Sequence, residues 1–172
     1  MNSGLALALQ SRGFNVSGRE TFGEFHRLRF SEQIQVIADD LLASFWHQDA
    51  LVVANSFGAY LFLHAQALIP AFPGKVLLLS PIVGGSAAPG NGPRFSPPFA
   101  ERLGQLAETN ELVVPQRCEI HVGELDWQCQ PEKLGHFGKL TGIPVTIVPG
   151  GAHMLDKDYV SRLLDRWLPP KA

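Results

Sequence analysis

Four short apolar runs punctuate the chain: Ala50-Leu51-Val52-Val53-Ala54, Val76-Leu77-Leu78-Leu79, Ile120-His121-Val122 and Val145-Thr146-Ile147-Val148. They are continuous rather than alternating, the pattern of parallel strands buried on both faces. A weaker fifth candidate is Phe14-Asn15-Val16. Segments of helical period lie between them. Residues 32–45 align Ile34, Ile37, Ala38, Leu41, Leu42 and Phe45 on one stripe, with Ser31 available as N-cap. Residues 57–69 are apolar nearly all round, which predicts a buried helix ended before Pro70. Phe99, Leu103, Leu106 and Ala107 mark a third helix, and Leu134, Phe137 and Leu140 a fourth entered through Pro131. A last helix runs from about Asp156 to Leu168, with Tyr159, Val160, Leu163, Leu164 and Trp167 inward, and Leu5, Leu7 and Leu9 belong to another at the start. Strands alternating with helices predict an α/β fold, a mostly parallel sheet with helices on both faces.

The segment from Gly84 to Pro98 holds four glycines and four prolines, which excludes regular structure there. It follows a strand end and so belongs to the carboxyl edge of the sheet, where open α/β folds bind ligands. With no linker or repeat, the 172 residues read as one domain, 1–172.

Charge and composition narrow the class. Fourteen Lys and Arg against sixteen Asp and Glu give a net charge of −2, which argues against nucleic acid as partner. The longest apolar stretch, Phe57 to Ile69, is broken by His64 and Gln66 and is too short to span a bilayer. Two cysteines, Cys118 and Cys129, make no disulfide framework, so a soluble cytoplasmic protein without membrane partners is expected. No two histidines sit at zinc-ligand spacing, no acidic loop suits calcium, and no phosphate-binding glycine loop follows a strand. Neither a metal nor a cofactor is expected.

The chemistry concentrates in Leu51-Val52-Val53-Ala54-Asn55-Ser56-Phe57-Gly58. A strand runs straight into Ser56 and a helix starts after it, the arrangement of a nucleophile elbow. Gly58 is expected where the sharp turn leaves no room for a side chain, and the Phe57 N–H becomes the expected oxyanion donor. Ser11-Arg12-Gly13 has the same tripeptide but follows a helix and lacks this context. A serine nucleophile needs a base and the base an acid. His153, in the glycine-rich loop after the last strand, projects from the same edge as Ser56. His121 lies inside a strand, His64 is two turns below the edge, and His26, His47 and His136 read as surface residues. Glu124 and Asp126, in the turn after Gly123, both qualify as the acid.

Ser56 in Ala-Asn-Ser-Phe-Gly, Asp126 in Gly-Glu-Leu-Asp and His153 in Gly-Gly-Ala-His together resemble the α/β-hydrolase superfamily, in the order of that family. The resemblance selects Asp126, three residues past the strand-ending glycine, over Glu124. It implies a serine hydrolase of esters or thioesters, with a small-molecule ester as substrate. It also implies a further strand and glycine-rich loop before the first helix. That pair is missing here, so either sequence precedes Met1, the favoured expectation, with Asn2-Ser3 as the tail of an oxyanion loop, or the sheet closes up without that strand. Without an inserted lid the site should be open and shallow, with Phe57, Phe95, Phe99 and Trp127 as candidate lining. The rival reading is a non-catalytic binding protein of the same fold with an incomplete oxyanion hole.

Overall fold

A computed structural model describes residues 4–19 and 21–170. Helices α1 (Gly4–Gln10), α2 (Glu24–Arg27) and α3 (Phe30–Ser44) precede β1 (Leu51–Asn55), α4 (Phe57–Gln66) and β2 (Lys75–Leu79). Strands β3 (Ser86–Ala87) and β4 (Arg94–Phe95), α5 (Arg102–Glu108), β5 (Arg117–Gly123), α6 (Pro131–Thr141), β6 (Val145–Val148) and α7 (Lys157–Trp167) follow. The four apolar runs form one parallel sheet in the order β1-β2-β5-β6. No helix among the described residues is long and apolar enough to cross a membrane.

Burial follows position in the sheet. β2 is buried from Val76 to Leu79, whereas β1 is half-buried along its whole length and β6 exposes Thr146 and Ile147. Full burial on both faces therefore holds for the centre and not for the edges, because an edge strand has neighbours on one side only. The fifth strand does not form: residues 14–16 carry no ladder, and Phe14 packs instead with α1 and α7 around Leu163, Leu164 and Trp167. The outer edge of β1 has no second ladder among the described residues.

The helices stand where the periodicity puts them, with local corrections. α3 starts at Phe30, so Ser31 lies inside it, and the Arg29 N–H donates to Glu32 at 2.7 Å in the role assigned to Ser31. Leu42 is exposed, and Gln33 takes a core position because its amide donates to the carbonyls of Phe25 and Leu28. Pro131 opens α6 and Asp156 caps α7, accepting from the N–H groups of Asp158 and Tyr159. The Gly84–Pro98 segment is not wholly irregular. Ser86–Ala87 pairs antiparallel with Arg94–Phe95, a two-residue hairpin that the glycine and proline count concealed.

α4 is buried from Ala59 to Gln66, and this burial includes His64. Its imidazole lies edge-on to Tyr60 (4.4 Å between centroids) and Phe30 (5.2 Å), and neither ring nitrogen has a partner. Burial first, and the nearby Arg102 charge second, push its pKa down from 6.5 to about 4. Between those values the unfolded chain holds a proton on His64 that the folded chain lacks, so stability falls as pH drops through this window. His64→Leu is expected to remove a pH-dependent loss on the order of 3 kcal/mol. Denaturant unfolding of both proteins across the window checks this; identical slopes would contradict it.

Candidate active site

Each functional side chain leaves a strand end. β1 runs to Asn55, and the chain turns at Ser56 with φ 51° and ψ −118°, after which α4 begins at once. A side chain at positive φ costs about 1–3 kcal/mol. The surrounding ladder holds it there: the Ser56 N–H donates to Leu79 O at 2.8 Å, and its carbonyl accepts from Tyr60 N–H at 3.0 Å. Gly58 is not what relieves the turn. A Cβ on it would meet nothing within 4 Å, because the sharp bend lies in the backbone of Ser56 and residue 58 is already helical.

The sensitive glycine is Gly123, at the end of β5. A Cβ there would lie 2.3 Å from Gly151 O and 2.4 Å from Ala152 O. The loop after β5 thus rests directly on the loop after β6. Three further bonds join them: Glu124 N–H to Val148 O, Leu125 N–H to Gly151 O, and Gly150 N–H to the Glu124 carboxylate. Glu124, the other candidate acid, is spent on this tie.

The result is a continuous relay. Ser56 Oγ stands 2.8 Å from His153 Nε2, and His153 Nδ1 lies 3.1 and 3.0 Å from the two oxygens of Asp126. Asp126 is 1% exposed and also accepts from the N–H groups of Gln128 and Cys129. Burial alone would raise its pKa. Hydrogen bonds from His153 and Cys129 outweigh burial and hold it below the usual carboxylate value. Asp126 is therefore ionised, Nδ1 carries the ring proton, and Nε2 is free to accept the proton of Ser56.

This is an arrangement for activating a hydroxyl. No protein-family model and no curated protein matches the sequence. Solved structures do. Mouse alpha/beta hydrolase domain-containing protein 10 aligns with a TM-score of 0.60 at 14% identity, over 96% of this chain and 84% of that one. A lidless α/β serine hydrolase from Xanthomonas campestris aligns at 0.51 and 16% identity, over 91% and 62%. A peroxisomal α/β-hydrolase from Saccharomyces cerevisiae aligns at 0.51 and 15%, over 81% and 58%. The chain has the α/β-hydrolase fold. It spans less than two thirds of the last two structures.

Within this fold the other expected site residues divide. Phe57 and Phe99 both pack against Phe30, at 6.0 and 5.3 Å between centroids, forming an aromatic group along α4. Phe99 precedes α5 rather than joining it, with φ 58° and 47% of its surface exposed. Phe95 packs on the main core, and Trp127 is half-buried beside Asp126. Phe30 and Cys129 went unread in the sequence. Phe30 carried one signal, an aromatic at the start of a helical stripe. Asn2 and Ser3 lie outside the described residues.

His121 stays apart from the relay. Its Nδ1 is 2.7 Å from Tyr159 Oη, and its Nε2 is 3.8 Å from Glu119, too far for a hydrogen bond. Burial dominates and lowers its pKa, so the ring is neutral and ties β5 to α7. His26, His47 and His136 are exposed, as expected. A cavity of about 400 Å³ lies between α5 and α6, lined by Glu101, Gly104, Glu132 and His136, and holds none of the relay.

Two glycine substitutions separate these roles. Gly123→Ala forces the two loops apart and is expected to destabilise the fold by about 1–3 kcal/mol. Gly58→Ala, inside a helix with open space, is expected to be neutral or stabilising by about 0.5–1 kcal/mol. Thermal unfolding of both variants decides; a Gly123→Ala protein as stable as the parent would refute the contact.

Proposed function

We propose that the chain is a serine hydrolase that cleaves a carboxylic ester or thioester through an acyl-enzyme on Ser56. The observation that carries this reading is the unbroken relay from Ser56 Oγ through His153 to a buried, ionised Asp126. Ser56 Oγ attacks the acyl carbon as His153 Nε2 takes its proton, and Asp126 stabilises the imidazolium that forms. The oxyanion develops beside the Phe57 N–H at the positive end of α4. Collapse expels the alkoxide or thiolate, which receives the proton from His153. Water then repeats the sequence and releases the acid. With one backbone donor supplied by the elbow, reactive acyl groups such as esters and thioesters suit the site better than amides.

The aromatic group of Phe57, Phe99 and Phe30 serves in this reading as an apolar wall for the acyl or leaving group, with Trp127 on the acid side. Phe95 packs on the core rather than joining this wall. The two free thiols, Cys118 and Cys129, suit a cytoplasmic setting. A non-catalytic binding protein of this fold is the alternative, and it draws on the single donor of the elbow.

A fluorophosphonate is expected to label Ser56 and to label nothing in Ser56→Ala. Persistent labelling of the variant would move the nucleophile elsewhere. Asp126→Asn is expected to slow aryl-ester turnover by roughly 10⁴-fold, because the ring loses its correct tautomer. A folded chain that neither labels nor turns over an ester would favour the binding protein.

A further inference from the structure

The Cys129 thiol takes no step in the proposed reaction, yet it is wedged against the relay. Sγ lies 3.5 Å from His153 Nδ1 and 2.9 Å from the carbonyl oxygen of Ser80. One ligand atom each from Asp126, Cys129 and His153 lies within 4.8 Å of the other two. Spacing along the chain hid the group, because Cys129 and His153 are 24 residues apart and meet only through the contact between their loops.

Two of the three separations come close to those of a coordination sphere, and the third lies within 4.8 Å. Zinc bonds of about 2.3 Å to sulfur and about 2.0–2.2 Å to nitrogen and oxygen put tetrahedral ligand atoms roughly 3.3–3.8 Å apart. The carboxylate-to-imidazole and thiol-to-imidazole separations of 3.0 and 3.5 Å need only small adjustment. Three protein ligands leave a fourth position open. The carbonyl of the buried Ser80 accepts from the Cys129 thiol and holds Sγ beside the other two ligands.

We propose that Asp126, Cys129 and His153 form a latent site for a thiophilic divalent cation of the zinc and cadmium class, and that its occupation switches the hydrolase off. The site stands on the geometry alone, while the switch rests on the serine-hydrolase reading. On binding, the ion bonds to Sγ, to Nδ1 and to one oxygen of Asp126. The thiol proton leaves to solvent, so one proton is released per ion. The neutral imidazole then carries its single N–H on Nε2 rather than on Nδ1. An Nε2 that donates cannot take the proton of Ser56, so the relay is blocked at its middle link. A thiolate ligand favours zinc or cadmium, whereas magnesium and calcium prefer all-oxygen sites and are expected to leave the protein unaffected.

The test is a cadmium titration of the full chain, followed by ultraviolet thiolate-to-metal charge-transfer absorption and, in parallel, by fluorophosphonate labelling of Ser56. One thiolate–cadmium absorption per chain is expected, with labelling falling in step and restored by a chelator. Cys118→Ser is expected to keep both responses. Cys129→Ser is expected to lose the absorption and to weaken the cation effect by about 10–100-fold or more, the loss that even outer partners of metal sites produce. Absorption that is absent in the parent, lost in Cys118→Ser or retained in Cys129→Ser overturns the proposal. Should Cys129→Ser fail to fold, Cys118→Ser still decides, because Cys129 is then the one remaining thiol. Absorption that tracks Cys129 in a protein that never labels would leave the site standing and remove the hydrolase reading.

Discussion

The carbonyl oxygens of Gly151 and Ala152 occupy the space that a side chain at position 123 would need. Everything at the site depends on that approach. The loops after β5 and β6 meet mainly through backbone, with the Glu124 carboxylate as a side-chain tie, so Asp126 and His153 are brought together largely by main-chain contacts. Such a joint is stiff, and the geometry of hydroxyl activation tolerates little looseness. Gly151 shares the constraint from the other side, where a Cβ would come within 3.0 Å of Gly123 Cα.

Two costs are concentrated around this joint. A carboxylate is taken out of water at Asp126, and a serine is held at positive φ at the end of β1. The first is offset by the imidazole and by the N–H groups of Gln128 and Cys129. The second is offset by ladder bonds from β2 and from the first turn of α4. In the proposed reaction both have a use: a fixed negative charge to steady the imidazolium, and a hydroxyl lifted to the head of a helix. The neighbouring thiol of Cys129 is silenced by the same surroundings, since burial and the Asp126 charge push its pKa far up.

Much of this arrangement was legible in the residues. Continuous apolar runs marked four strands because neighbouring parallel strands demand apolar side chains on both faces. Ser56, Asp126 and His153 could be placed at one edge because each follows such a run. What failed was local. Phe14-Asn15-Val16 has strand-like residues but no strand to pair with among the described residues, and partial burial of Phe14 beside α7 satisfied it instead. Gly58 looked like the crowded position, whereas the strain sits in Ser56 itself. Cys129 and Phe30 act across the fold rather than along the chain, and no spacing rule reports such contacts.

The account stands on a proton held between His153 Nδ1 and Asp126, and proton nuclear magnetic resonance observes that proton directly. A far-downfield, slowly exchanging resonance is predicted for the folded chain, as expected of a charge-assisted hydrogen bond sheltered from water. It should vanish in Asp126→Asn while the rest of the spectrum keeps its dispersion. A folded protein that shows no such resonance, or one indifferent to Asp126, would contradict the relay.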